Sequence, residues 1–190
     1  MLEQLLNLDD KILLAVNGLH SPVFDVIMWQ ISSRAIWIPL YIFLIYLLYR
    51  NLGWRKTLLW TVGVVLVIVL ADQTCAHGLR QIFCRMRPAN PDNPISPFVH
   101  IVNDYRAGKY GFPSAHAGNT WALVAYLGWI LRKRALTCAL AGWAALVCYS
   151  RMYLGVHYLG DLLAGMIVGV LCATLVYFLI SYADRHFHWT

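Results

Sequence analysis

The chain has 190 residues, 60% of them hydrophobic and 13% charged, with a formal net charge of +6. A soluble domain of this length has too little interior to bury that much apolar surface, so the composition excludes an ordinary soluble protein and points to a bilayer as the solvent. The length suits one domain, and the basic excess, which elsewhere suggests nucleic acid, is explained by membrane topology.

The N-terminal stretch MLEQLLNLDDK is acidic and lacks the basic and apolar regions of a cleavable signal, so the first spanning helix is expected to direct insertion. Leu5, Leu6, Leu8, Ile12, Leu13, Leu14 and Val16 recur at roughly helical spacing. They predict an interfacial amphipathic helix within segment 1–34. The run 22–33 could belong to that interfacial segment, extend the first span or make a sixth short crossing.

Uncharged runs long enough to approach the hydrocarbon thickness follow at 35–49, 57–79 (interrupted by Asp72), 114–131, 135–150 and 162–183. Arg50, Arg55 and Lys56 share one short connection, and Arg132, Lys133 and Arg134 another. The positive-inside rule places both in the cytoplasm and segments 1–34, 80–113 and 151–161 outside. The expected fold is all-α: a polytopic transmembrane bundle of five to six spanning helices with an N-terminal interfacial helix, forming a single domain over 1–190. The cysteines are scattered; Cys138, Cys148 and Cys172 read as small buried hydrophobes, and Cys75 and Cys84 are near enough in sequence to pair in an oxidising compartment.

The outer loop 80–113 breaks the charge pattern, with Arg80, Arg85, Arg87, Arg106 and Lys109 against Asp92 and Asp104. Pro88, Pro91, Pro94 and Pro97 stand three apart, compatible with a polyproline II turn or with an irregular stiff loop. Alternation of the spans brings three polar clusters to one end of the bundle. These are RQIFCRMRP at 80–88, GFPSAHAGNT at 111–120 and SRMYLGVHYLGD at 150–161.

Arg80, Arg87 and Arg151 would form a cradle for a tetrahedral oxyanion, because guanidinium groups stay charged and present forked donors. Ser114 follows Pro113 at the start of a helical run; it serves either as an N-cap alone or as part of an anion site at the helix N-terminus. His157 and Asp161 stand four apart, so on one helical face the carboxylate would fix the imidazole tautomer and leave the other nitrogen as a nucleophile. His116 would be the complementary general acid. His20, His77, His100, His186 and His188 read as passive interfacial groups, and Arg85 and Arg106 as surface charges. Asp72, inside a span, is expected to support a site arginine. No spacing of His or Cys suggests a zinc site, so the arginines would supply the positive charge and no cofactor is expected.

R80-x6-RP, PSAH and SR-x5-H-x3-D together resemble the signature of the type 2 phosphatidic acid phosphatase family, K-x6-RP, PSGH and SR-x5-H-x3-D, over about residues 60–180. The resemblance implies a membrane lipid phosphate phosphatase. Arg80, Arg87, Arg151 and Ser114 would hold phosphate, His157 would form a phosphohistidine, Asp161 would orient it, and His116 would protonate the leaving group and then activate water. Arg80 stands where the family usually has Lys, and Ala115 where it has Gly; neither removes a catalytic group, and both bear on substrate preference. The expected partners are a lipid phosphate and the membrane, with no nucleic acid. Candidate substrates are undecaprenyl diphosphate, phosphatidylglycerol phosphate, phosphatidic acid and lipid A, with loop 85–110 selecting the headgroup. Soluble vanadium-dependent haloperoxidases share the signature, but spanning helices argue against that reading. A non-catalytic lipid-phosphate binder, transporter or scaffold is the alternative.

Overall fold

The structure is a computed structural model that describes residues 2–186, so His188 lies outside the described residues. Helix α1 is Leu2–Asn17 and α2 is Pro22–Ser32. The long α3, Ile38–Gln73, runs through a π-helical turn at Thr74–Leu79 into the short α4, Arg80–Phe83. Then come α5 (Ala115–Leu131), α6 (Arg134–Tyr153) and α7 (Leu159–His186).

Helix α3 is two arms and not one rod. Gly53 breaks it with φ 76 and ψ 172, a conformation open to glycine but strained for residues with a Cβ. Arg34, just before α3, then lies 4.0 Å from Asp72 near its end. A straight helix between them would hold them about 57 Å apart at 1.5 Å per residue. The arms 38–52 and 54–73 therefore double back, and with α5, α6 and α7 they make five helices running between two ends of the bundle. Lys56 meets Asp184 at 3.4 Å at the end carrying the basic connections. The three polar clusters gather at the other.

Lipid-facing positions are apolar, as a bilayer requires: Ile42, Val62, Val65, Leu171, Leu175 and Phe178 are all exposed. The inner seam uses small residues. A Cβ added to Gly165 of α7 would come within 2.3 Å of the Ser114 carbonyl oxygen, and one on Gly169 within 2.1 Å of the Gly118 carbonyl oxygen. The α5 and α7 backbones touch there, the small-xxx-small packing that substitutes for a hydrophobic drive inside lipid.

Helices α1 and α2 meet at 115° over the site end, and α2 packs along α6. With 11 residues, α2 rises only about 16 Å, roughly half the hydrocarbon thickness. The interfacial α1 turns Leu5, Leu6 and Leu8 outward and buries Leu13. The hairpin of helices is locked down by polar contacts. Asn17 Nδ2 donates to the Tyr153 and His100 carbonyls at 2.7 and 3.0 Å, and the Tyr153 hydroxyl donates to Asp25 at 2.7 Å. His100, in keeping with a passive hydrogen-bonding role, reaches the same Asp25 carboxylate at 2.9 Å and stacks on His20.

The proline period in the outer loop has a different origin from polyproline II. The amides of Asn90, Asn93, Ser96 and Val99 donate to the carbonyls of Arg87, Asn90, Asn93 and Ser96. Each of the four prolines thus fills the second position of one in a row of turns, where its fixed φ is pre-set. Arg106 pins this spiral by donating from Nη1 to the Ala89 carbonyl at 2.6 Å, so it is a structural staple and not a surface charge. All five cysteines are free thiols: Cys75 is buried while Cys84 is exposed, and Cys138, expected to be buried, faces outward.

Candidate functional site

Three local devices bring the clusters together. The ends of the outer loop are zipped by Arg87 N–H to the Lys109 carbonyl (2.9 Å) and Gly111 N–H to the Arg85 carbonyl (2.8 Å), so 85–87 lies beside 109–111. Ser114 caps α5, its hydroxyl accepting from Ala117 N–H, while its own N–H donates to the Asp161 carbonyl at 2.9 Å. The third device is at the start of α7. His157 and Asp161 do not share a helical face, because the helix begins only at Leu159. Instead Asp161 reaches back to accept from Tyr158 N–H at 3.1 Å, in the manner of a capping box, and this turns its carboxylate towards His157 Nδ1 at 3.4 Å.

His157 is the centre of the group. It is 1% exposed, and Arg87 Nη1 lies 2.8 Å from its Nε2 while donating also to the Val156 carbonyl at 2.9 Å. With Nε2 accepting from a guanidinium, the ring proton belongs on Nδ1, facing Asp161. Burial first, then the charges of Arg87 and Arg151, the neighbouring His116 and the charge of Arg80 hold this imidazole well below its usual pKa. The ring is therefore neutral at physiological pH, with its basic lone pair on Nε2.

The arginines are held by neutral groups. Arg80 Nη2 donates to the Pro113 carbonyl at 3.2 Å. Arg151, 3% exposed, donates to the Ser32 hydroxyl and, at 3.3 Å, to the Tyr105 hydroxyl. Burial and repulsion from the charges of Arg80 and Arg151 bring the pKa of Arg87 down to about 10, still charged at neutral pH. Each of the three retains a buried Nε with no hydrogen-bond partner. Three cations whose donors lack acceptors form a site that an anion completes.

Beside His116 a cavity of about 360 Å³ opens between the start of α3, α5 and α6, lined by Trp37, Tyr41, Asp72, Asn119 and Trp143 among others. Asp72 touches no site arginine, and its negative charge acts on Arg80 from a distance. Its carboxylate accepts from Asn119 Nδ2 at 2.9 Å and faces Arg34 across the cavity mouth. Among the described residues no group of three or more His, Cys, Asp or Glu is arranged to hold a metal ion.

Arg80, Arg87, Ser114, His116, Arg151, His157 and Asp161 thus converge as expected from the sequence. Arg85 corrects the expectation of a surface charge. Its Nη1 donates to Asp161 at 2.9 Å and its Nη2 to Asp9 at 2.8 Å, with the guanidinium over the Tyr158 ring. Asp9, Ser32 and Tyr105 were not legible as site neighbours: each lies far along the chain from its partner, with no motif. Only Arg85 gave a signal, as a basic residue on the side of the membrane expected to be poor in them.

Residues 59–185 match the PAP2 superfamily. The chain is 43% identical over 179 residues to a lipid A 4'-phosphatase of Bacteroides thetaiotaomicron, covering 94% of this chain and 80% of the relative. A lipid A 4'-phosphatase of Porphyromonas gingivalis is 35% identical over 184 residues, covering 96% and 77%. Among solved structures, the PAP2-type phosphatidylglycerolphosphate phosphatase of Bacillus subtilis superposes with a TM-score of 0.65 at 22% identity, covering 96% of this chain and 87% of that one.

Proposed function

This chain belongs to the PAP2 superfamily, and from that premise we propose that it removes a phosphate monoester from lipid A or a similar acylated-sugar phosphate, through a phosphohistidine on His157. It is an integral membrane lipid phosphatase. The reading is carried by one observation: a buried, neutral His157 among three arginines whose Nε–H groups have no protein acceptor.

Phosphate oxygens would take the free donors of Arg80, Arg87 and Arg151, drawing Arg87 off His157 Nε2 and releasing its lone pair. Nε2 then attacks phosphorus in line, forming the N–P bond as the P–O bond to the lipid breaks. Asp161 stabilises the charge that develops on the ring. The phosphate dianion offsets the surrounding cations and lets His116 carry a proton, which passes to the leaving oxygen. Water, losing its proton to His116, next breaks the N–P bond and frees inorganic phosphate. The arginines meet the charge of the transition state, so no metal is required. The apolar cavity beside His116 suits the leaving lipid, and Asp72, Arg34 and the buried unpartnered Asn119 Oδ1 suit the amides and hydroxyls of an acylated sugar. The basic connections at the far end support an extracytoplasmic site in a bacterial inner membrane.

The test is phosphate release in detergent with excess EDTA. Substrates are lipid A bisphosphate, phosphatidylglycerol phosphate, phosphatidic acid and undecaprenyl diphosphate. Lipid A is expected to be preferred, with His157→Ala at least about a thousandfold slower. Preference for another lipid overturns the substrate; sustained turnover by His157→Ala overturns the mechanism.

A further inference from the structure

We infer that Arg85 and Asp9 are positioning residues that hold Asp161 against His157, so that the N-terminal helix α1 forms part of the catalytic support. The inference rests on the reading of His157 and Asp161 as nucleophile and orienter.

Asp161 is fully buried, and a carboxylate in that state needs a cation and filled lone pairs to stay ionised. Its Oδ2 is used by Tyr158 N–H and His157. Its Oδ1 is used by Arg85 at 2.9 Å. The other arginines of the site donate elsewhere: Arg87 to Val156 and His157, Arg80 to Pro113, Arg151 to Ser32 and Tyr105. Arg85 is thus the cation in direct contact with the orienting carboxylate.

What holds Arg85 comes from the far end of the chain. Asp9 takes its second guanidinium nitrogen at 2.8 Å, and the Tyr158 ring lies beneath it with the guanidinium carbon 4.0 Å from the ring centroid. The same Asp9 carboxylate accepts from Gly160 N–H at 3.1 and 3.3 Å, on the first turn of α7 beside Asp161. Position 160 is shaped for this contact: a Cβ there would stand 2.8 Å from Asp9 Oδ2 and 3.2 Å from Arg85 Nη1. Asp9 therefore clamps both the guanidinium and the helix start that aim Asp161. None of these groups reaches the phosphate cradle, so loosening them would misplace the nucleophile and leave phosphate binding intact.

The experiment uses the full-length protein in detergent, with lipid A bisphosphate as substrate and inorganic phosphate as competitive inhibitor. Arg85→Gln is expected to lower kcat about 10- to 100-fold, the range typical of residues that orient a catalytic ligand. KM and the inhibition constant for phosphate should stay within about threefold, since uniform binding is untouched. Arg85→Lys should recover part of the loss, and Asp9→Asn should lower kcat by a smaller factor. The double variant should lose less than the product of the two single losses, because the two residues share a contact. Asp9→Asn keeps the inference open to refutation should Arg85→Gln not fold. Unchanged kcat in the single variants, a parallel rise in the phosphate inhibition constant, or additive losses would each overturn it. Those outcomes with an inactive His157→Ala defeat only the positioning role; an active His157→Ala defeats the nucleophile itself.

Discussion

Arg85 and Arg87 leave the same loop two residues apart and enter opposite surroundings. Arg85 sits between two carboxylates, Asp9 and Asp161, with its charge answered inside the protein. Arg87 meets a carbonyl, an imidazole and the fields of two more guanidiniums, and keeps a donor with no acceptor. The first region is a buttress and the second a cradle. Closed ion pairs with filled valences fix geometry and have little left to offer a ligand. Cations crowded without counterions are costly in the empty protein and complementary to an anion, so they select one.

The contrast is open to attack at both regions. The largest effect is expected from Arg87→Lys, which keeps the charge and loses the unpartnered Nε–H and the planar donor set that an anion would use. We expect kcat/KM to fall about 100-fold or more, comparable to loss of one transition-state donor. Arg85→Lys should lose much less, since a single ammonium still pairs with Asp161. Equal losses in steady-state assays would erase the difference between cradle and buttress.

A smaller effect concerns protons. The folded protein holds His157 neutral, whereas the unfolded chain protonates it near 6.5. Below that pH the unfolded state binds the extra proton, so stability should decline as pH falls from about 6.5. Thermal unfolding in detergent between pH 7.5 and about 5 should show a falling midpoint, with a shallower slope in His157→Gln. A slope unchanged by the substitution would mean that the cradle does not repel the proton. Smallest is Lys56→Gln at the far end. That pair with Asp184 is partly exposed, and its loss should cost less than about 1 kcal/mol and leave kcat unchanged.

The spans, their alternation and the convergence of the three clusters were legible because each rests on local sequence: hydropathy over a helix length, or residue types at fixed spacing. Asp161 facing His157 was expected from spacing, although a helix start and not a helix face delivers it. Asp72 announced by its charge inside a span that it has partners without naming them; Asn119 comes from α5 and Arg34 from the turn before α3. The proline period was ambiguous because turns and polyproline II both repeat at three residues. Arg85 was misread for want of its partners, since Asp9 is 76 residues away in sequence and sits among ordinary interfacial residues.

The bridge from Asp9 to Gly160 spans 151 positions and joins α1 to the start of α7. At roughly 5–20 residues per second of synthesis, α1 waits on the order of ten seconds before its docking partner exists. During that interval Arg80, Arg85 and Arg87 have been made while Asp161, the carboxylate that aims the nucleophile, has not. Maturation of the site is therefore timed by the emergence of α7, and a chain truncated before it would carry the basic residues of the site with no means of using them.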